Sequence, residues 1–267
     1  INSAILGPDA APGSDIFDLL VKEVVREMTL KAGQKCTAIR RILVPRQHMQ
    51  AAGEAIAGKL ASLKVGNPRN PEVKVGPVVN KAQQAACLEG LKKLKQECSV
   101  LFGGDEGFQP LDADAEKSAF VQPTLLASKN GVGAKFVHDV EVFGPAAALV
   151  PYDSTADLIA IARRGMGSLV ASIFSNDADF VREVVLGTGD LHGRLLVVDS
   201  SVGSQHTGHG NVMPSCLHGG PGRAGGGEEL AALRAVLFYH RRFVVQGPPS
   251  RLGDLAAISA DSSILYS

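Results

Sequence analysis

Short apolar runs alternate with longer stretches of helical periodicity along most of this chain. The runs that predict strands are residues 4–7, 42–45, 99–102, 146–150, 169–174 and 194–198. The stretches that predict helices are residues 16–32, 47–63, 80–97, 154–164 and 177–187. Strands that alternate with helices of this length are typical of βαβ units, and strands without clean apolar–polar alternation are covered on both faces. The sequence therefore predicts a three-layer α/β fold with a mostly parallel sheet and helices on both faces.

The composition narrows the possible partners. Hydrophobic residues make up 45% of the 267 residues, and the formal net charge is zero, so nothing indicates a nucleic-acid or membrane partner. No apolar run approaches the roughly 20 residues that span a bilayer. The sequence begins at Ile1, without a Met and without a leader in which a basic stretch precedes an apolar one. This start predicts an internal segment of a longer protein.

Possible metal ligands are few and irregularly spaced. The chain has four cysteines, Cys36, Cys87, Cys98 and Cys216. Because no two of them form a CxxC pair, we expect no zinc site and no disulfide framework. Thiols that stay reduced fit a cytoplasmic protein. The glycine-rich stretch 201–227 carries His206, His209 and His218, but no carboxylate or thiol completes a standard set. We expect no metal and interpret the stretch as a mobile loop on the substrate side.

The segment 31–40 around Cys36 gives the strongest indication of chemistry. Small neighbours such as Gly33 let a substrate approach the backbone. The positive charges of Lys31, Lys35 and Arg40 lie nearby in the sequence and favour the thiolate form of Cys36. An amphipathic stretch at 17–28 precedes Cys36, and a cysteine in a turn between two helices can donate its backbone N–H to an oxyanion. The alternative is a small buried thiol, the commonest fate of a lone cysteine.

Phosphate-binding motifs are absent from the sequence. No GxGxxG follows an early strand, and there is no Walker lysine motif. The run 219–227 is dense in glycine, but Pro221 removes a donor. We interpret this run as a tight packing loop ahead of a helix at 228–236. If the chain handles a dinucleotide, the main binding domain lies elsewhere.

Five motifs in a fixed order resemble the catalytic half of the aldehyde dehydrogenase superfamily, from the start of the chain to about residue 248. They are Gly33-Gln-Lys-Cys36-Thr, Val65-Gly-Asn-Pro with Val75-Gly-Pro77, Phe120-Val-Gln-Pro-Thr124, Glu141-Val-Phe-Gly-Pro145, and Gly167-Ser-Leu-Val-Ala-Ser-Ile-Phe174. Within the superfamily, three runs are most similar to the dehydrogenase portion of bifunctional phenylacetate-degradation enzymes. These runs are 5–9, 24–29 and 218–229.

The resemblance implies a reaction and roles for three residues. It implies that Cys36 attacks an aldehyde, a semialdehyde linked to coenzyme A, and forms first a thiohemiacetal and then a thioester. Water then releases the acid, and NADP is preferred over NAD as the cofactor. Glu141 matches the residue that accepts hydrogen bonds from the nicotinamide ribose, a task suited to a carboxylate. Phe143 is expected to pack near the nicotinamide. A solvated loop acid and a core phenylalanine are the alternatives for these two residues.

The sequence also departs from the family pattern. The family's general-base glutamate, oxyanion-hole asparagine and ribose-contacting lysine lie upstream of the matching region, so we expect this chain alone not to turn over. Leu217-His218 stands where a Pro-Phe pair is usual, and Asp199-Ser200 replaces a common asparagine. Both changes are expected to line the substrate side. His218 is either a substrate contact or a hydrogen-bonded structural histidine.

Three segments follow from these observations. Residues 1–230 are predicted to form the catalytic domain, 231–248 an oligomerisation segment with a strand that pairs across a homodimer, and 249–267 a tail or linker. An edge strand of this kind needs covering or a partner. Two other functions remain open: a dehydrogenase that releases the thioester to coenzyme A, and a non-catalytic oligomerisation module with an idle cysteine.

Overall fold

The computed structural model describes residues 1–104, 108–212, 219–225 and 244–254. The chain forms two compact units, Ile1–Glu229 and Leu230–Ser267. In the second unit the described residues are 244–254, of which 249–254 are helical. The expected helix at 228–236 and most of the expected strand at 231–248 lie outside the described residues, so the roles of these segments stay predictions. Within the described ranges, no helix combines the length and the apolar character needed to cross a membrane.

A seven-stranded sheet forms the middle layer of the first unit. Its strands are β1 (Ser3–Leu6), β2 (Arg41–Pro45), β5 (Cys98–Phe102), β6 (Thr124–Ser128), β7 (Ala146–Tyr152), β8 (Ser168–Phe174) and β9 (His192–Val198). The order across the sheet is β5-β6-β7-β2-β1-β8-β9. All neighbours are parallel except the edge strand β5, which is antiparallel to β6. The predicted, mostly parallel sheet is confirmed.

Three of the observed strands were not predicted. Strands β3 (Lys64–Val65) and β4 (Val73–Val75) form a separate parallel pair. The apolar centre of β6 is only Leu125 and Leu126, too short a run to distinguish from a loop in the sequence. Its burial comes from pairing with β7, which the sequence does not reveal locally.

Helices cover both faces of the sheet, as predicted. On one face α1 (Asp15–Thr29) and α2 (Met49–Ala61) share a core with Ile42 and Leu149. On the other face α3 (Lys81–Leu94), α4 (Phe136–Asp139), α5 (Thr155–Arg164) and α6 (Ala178–Thr188) pack with Leu43 and Val150. Successive strand residues such as Ile42 and Leu43 point to opposite faces, so both are buried and the strand reads as a continuous apolar run.

The end of α1 differs from the prediction. The helix ends at Thr29, before the predicted end at residue 32. A 3-10 turn at Leu30–Gly33 follows, in which Lys31 and Ala32 have left-handed backbone. The chain then passes through Cys36 into strand β2. The expectation that the cysteine turn enters a second helix is therefore wrong, since the residues after it pair in the sheet.

Candidate active site

The amino ends of four parallel strands surround a cavity of about 300 Å³. The residues that line it are Ile1 and Asn2 before β1, Cys36 before β2, Glu141 and Phe143 before β7, Gly167, Ser168 and Leu169 at the start of β8, and Arg223 and Ala224. The three residues selected from the sequence, Cys36, Glu141 and Phe143, thus lie in one cavity. Parallel strands place their amino ends at the same edge of the sheet, which brings together segments distant in the chain.

The opposite edge of the sheet carries a second cavity, of about 420 Å³, beside Pro8, Arg46, Asp153 and Thr155. Carboxyl ends of strands are the usual ligand sites of open α/β sheets. None of the residues selected from the sequence lines this cavity, and Arg46 is held by Asp153 through two hydrogen bonds of 2.6 and 2.8 Å. The chemistry therefore points to the amino edge.

The turn that carries Cys36 has a strained backbone. Lys31, Ala32 and Gly33 are all left-handed, with φ of 55°, 51° and 68°. Left-handed backbone costs roughly 1–2 kcal/mol for a residue with a Cβ. Gly33 also lies against the facing loop, since an added Cβ would be 2.2 Å from the Gly144 carbonyl oxygen. The turn thus packs against the 141–145 loop, and Cys36 is exposed.

Asn2 holds this turn and was not selected from the sequence. Its Nδ2 donates hydrogen bonds to the carbonyls of Cys36 (2.8 Å) and Ala38 (3.1 Å). Its Oδ1 accepts from the backbone N–H groups of Leu169 (3.2 Å) and Val170 (3.3 Å). The buried amide therefore ties the cysteine turn to the start of β8. No local sequence signal identifies it, because all of its partners are distant in the chain.

Lys35 and Arg40, two of the three cations expected beside the thiol, face carboxylates. Lys35 Nζ lies 2.5 Å from Glu27 Oε1, and Glu27 is buried on α1. Burial raises the pKa of Glu27, and the hydrogen bond from Lys35 opposes that shift. Arg40 Nε lies 3.7 Å from Glu141 Oε1. Both cations are therefore paired with carboxylates beside the cysteine turn.

The loop with Glu141 and Phe143 is held from α3. Gln83 Nε2 donates to the Phe143 carbonyl at 2.7 Å, and Cys87 Sγ lies 3.4 Å from the same oxygen. Gly144 packs on Cys87, where an added Cβ would be 2.6 Å from the sulfur. Phe143 is 39% exposed as a residue and lines the cavity. The loop thus has a fixed backbone and an accessible carboxylate and ring.

Residues 219–225 close one side of the cavity, which agrees with the predicted packing role of this run. Arg223 donates to the carbonyls of His138 (2.9 Å) and Asp139 (3.1 Å). Gly167 has φ of 102°, and an added Cβ would lie 2.0 Å from the Pro221 oxygen. A side chain at this glycine would therefore displace the loop from the start of β8.

The histidines of the glycine-rich stretch have structural contacts where they are described. His209 is fully buried, and its ring Nδ1 lies 2.6 Å from Ser172 Oγ. The backbone N–H of His209 donates a hydrogen bond to the Glu23 carboxylate. Burial lowers the pKa of His209 to about 3, so the ring is neutral. His206 Nδ1 accepts from Gly208 N–H. Among the described residues no three candidate ligands come together for a metal, and His218 lies outside them.

Asp199 lies away from the cavity that holds Cys36. It follows the carboxyl end of β9, at the edge of the sheet opposite Cys36. There its Oδ1 accepts hydrogen bonds from Ser201 Oγ (2.5 Å) and from the backbone N–H groups of Ser201 and Val202. These bonds lower the pKa of Asp199 and stabilise the turn. Asp199 is thus not among the residues that line this cavity, and the expectation that it lines the substrate side stays a prediction. Leu217 and His218 lie outside the described residues.

Comparison with known proteins identifies the family. The model of the aldehyde dehydrogenase family matches residues 7–205. The chain belongs to this family. It is 66% identical over 221 residues to the 3,4-dehydroadipyl-CoA semialdehyde dehydrogenase of Aromatoleum evansii, covering 83% of this chain and 43% of that protein. It is 38% identical over 182 residues to Protein MaoC of Klebsiella aerogenes, covering 68% of this chain and 52% of that protein. The chain thus spans about half the length of these relatives, or less.

Solved structures share the fold. Betaine aldehyde dehydrogenase from Staphylococcus aureus in complex with NAD+ has a TM-score of 0.73 at 22% identity, covering 89% of this chain and 43% of that one. Aldehyde dehydrogenase C from Pseudomonas syringae has a TM-score of 0.69 at 22% identity, covering 87% and 43%. The α/β fold predicted from the sequence is therefore that of aldehyde dehydrogenases.

Proposed function

We propose that this chain carries the catalytic cysteine of a nicotinamide-dependent aldehyde dehydrogenase, with Cys36 as the nucleophile. The observation that carries the proposal is the shared cavity: an exposed thiol, an accessible carboxylate and an accessible aromatic ring lie together at the amino edge of the sheet. Family membership supports the same chemistry. Among the described cysteines Cys36 is the candidate nucleophile, because the other two, Cys87 and Cys98, are buried.

In the proposed reaction the Cys36 sulfur forms a bond to the aldehyde carbon and gives a thiohemiacetal. A bound nicotinamide supplies the hydride acceptor. Loss of the hydride from the former aldehyde carbon to this acceptor, and of the hydroxyl proton to water, would leave a thioester on Cys36. Water would then cleave the carbon–sulfur bond to release the acid and the thiol. The backbone N–H of Cys36 is proposed to help hold the oxyanion.

The loop at 141–145 fits a nicotinamide nucleoside. The Glu141 carboxylate is 39% exposed and can accept hydrogen bonds from ribose hydroxyls, because an ionised carboxylate is an acceptor only. Phe143, two residues further along the same loop, lines the same cavity and offers an apolar surface. The cofactor preference for NADP over NAD stays a prediction from the resemblance.

We further propose a coenzyme A-linked semialdehyde as the substrate. The support is the 66% identity to a protein named for such a substrate. Release of the acyl group to coenzyme A instead of water is the second candidate reaction. A non-catalytic module is the third. The homodimer and the cytoplasmic location stay predictions, and a place in phenylacetate degradation rests on the resemblance alone.

The first experiment compares the alkylation rates of the cysteines by iodoacetamide, resolved by peptide mass spectrometry. Cys98 is the internal control, because burial raises the pKa of its thiol to about 11. Exposure alone makes Cys36 react faster than Cys98, so the decisive reference is Cys36 in the urea-unfolded protein. We expect Cys36 to react at least about tenfold faster in the folded than in the unfolded protein, as a reactive thiolate does. Equal rates in the two states would favour the non-catalytic module.

The second experiment measures aldehyde-dependent NADP reduction by the natural protein that carries these residues, with Cys36→Ser as the variant. Loss of reduction in the variant supports the nucleophile, and unchanged reduction refutes it. Mass analysis of the product with coenzyme A present distinguishes the two candidate reactions: the acid indicates hydrolysis, and the acyl-coenzyme A thioester indicates transfer.

A further inference from the structure

One buried guanidinium joins the two segments that carry the proposed site residues. The Arg40 side chain is only 4% exposed. Its Nη2 donates a hydrogen bond to the Gly33 carbonyl in the cysteine turn, and its Nη1 donates to the Gly144 carbonyl, both at 2.7 Å. Both carbonyls belong to backbones that already touch, since Gly33 has no room for a Cβ against Gly144. The guanidinium therefore clamps a close contact between two distant segments.

The same group also reaches both side chains proposed to contact the nicotinamide nucleoside. Arg40 Nε lies 3.7 Å from Glu141 Oε1, and the guanidinium carbon lies 5.5 Å from the centre of the Phe143 ring. This ring distance is within the range of a cation–π contact. Burial lowers the pKa of Arg40, and the charge of Glu141 opposes that shift. The carboxylate and the ring thus compensate for part of the hydration that the cation loses.

We propose that Arg40 is a positioning residue that sets the distance and orientation of Glu141 and Phe143 relative to Cys36. This inference rests on the proposed function. A guanidinium can donate in several fixed directions of one plane, whereas a lysine ammonium is a single compact charge on a flexible stem. Four partners in two segments therefore require arginine and are not served equally by lysine.

The position of Arg40 also affects how Glu141 can contact the ribose. One Glu141 oxygen faces Arg40, so the carboxylate is turned by the same cation that holds the cysteine turn. A carboxylate has two oxygens and about four lone-pair sites, which leaves acceptor capacity for the ribose hydroxyls. Cofactor affinity at Glu141 therefore depends on Arg40 as well.

The test uses the natural protein that carries these residues and the variant Arg40→Lys. Three quantities are measured: the thermal unfolding midpoint, the alkylation rate of Cys36 by iodoacetamide, and the NADP concentration that halves this rate. We expect the half-protecting concentration in Arg40→Lys to rise about tenfold, as for the loss of one well-placed charged contact. Glu141→Gln should raise the half-protecting concentration less in the Arg40→Lys background than alone, because contacting residues are not additive.

The matched control is Arg46→Lys, which also alters an arginine–carboxylate pair but at the exposed, opposite edge of the sheet. It should leave the half-protecting concentration within about twofold, as expected for a distant site. Any of three results would overturn the inference, since Arg40 would then support only the fold. The half-protecting concentration could be unchanged in Arg40→Lys, the effects of Arg40→Lys and Glu141→Gln on it could be additive, or Arg40→Lys could unfold globally. If NADP does not protect Cys36 in the unmodified protein, the proposed cofactor function fails first, which is a separate result.

Discussion

Replacing Gly33 with alanine should separate the cysteine turn from the Glu141–Phe143 loop. The new Cβ would lie 2.2 Å from the Gly144 oxygen, 2.5 Å from its carbonyl carbon and 2.9 Å from Pro145 Cα. Ordinary contacts of a Cβ begin at 3.4 Å, and all of these neighbours are backbone atoms. The two backbones therefore have to move apart by about 1 Å, because packed interiors have no spare volume at such a contact.

The cost has two parts. Left-handed backbone at residue 33 costs an alanine about 1 kcal/mol more than a glycine. Displacing two packed backbones costs a further ~1–3 kcal/mol, the usual range for overpacking. We therefore expect Gly33→Ala to lower the free energy of unfolding by about 2–4 kcal/mol, which lowers the unfolding midpoint by roughly 4–7 °C in a chain of this size.

Gly13→Ala separates the two parts in the same denaturation assay. Gly13 also has left-handed backbone, with φ of 87°, but nothing lies within 4 Å of an added Cβ. This control should lose only about 1 kcal/mol of unfolding free energy. If Gly33→Ala loses no more free energy of unfolding than Gly13→Ala, the contact between Gly33 and Gly144 does not constrain the site. The reasoning from close approach is then refuted.

Three further predictions concern stability. Asn2→Ala should lower the unfolding free energy by ~2–4 kcal/mol in urea denaturation, because four backbone groups lose a buried partner; a loss below about 1 kcal/mol would contradict the role of this amide as a tie. The pKa of His209 is lowered from 6.5 to about 3 by burial, so the folded state favours the neutral ring. The stability that comes from the neutral ring should therefore be fully present above pH 6.5 and be lost as the pH drops toward 3. When the free energy of unfolding is measured across this window, its slope against pH should be smaller in His209→Asn. An unchanged slope would assign the acid sensitivity to other groups. Gly58→Ala should raise the unfolding free energy by about 0.5–1 kcal/mol, since Gly58 lies inside α2 with open space around it; a loss of stability would mean that this helix position is constrained by more than propensity.

Much of the fold could be predicted because its signals are local. Strands β2, β7 and β8 are apolar runs, since each is covered on both faces. Helices α1, α3, α5 and α6 each begin after a side chain that accepts a hydrogen bond from the first turn: Ser14, Asn80, Ser154 and Asp177. The motifs at Cys36 and at 141–145 could be selected for the same reason, because each is a short run with its own residue pattern.

Other features depend on contacts that no local pattern records. The order of the strands sets which amino ends meet, and this alone brings Cys36 to Glu141 and Phe143 and sends Asp199 to the other edge. Asn2 was not selected from the sequence, and Arg40 was selected only as a charge near the thiol, yet both are buried and each bonds to a backbone group far along the chain.

The sequence by itself thus determined the layers of this protein and the residues with chemical potential, because periodicity and motif composition are properties of short segments. Only the tertiary structure decided where the cavity lies, that Lys35 faces Glu27, and that one arginine clamps the cysteine turn to the 141–145 loop. The physical reason is that a buried hydrogen bond or ion pair requires two partners at a fixed distance, and the distance between remote segments is set by the sheet order and not by the residues next to them.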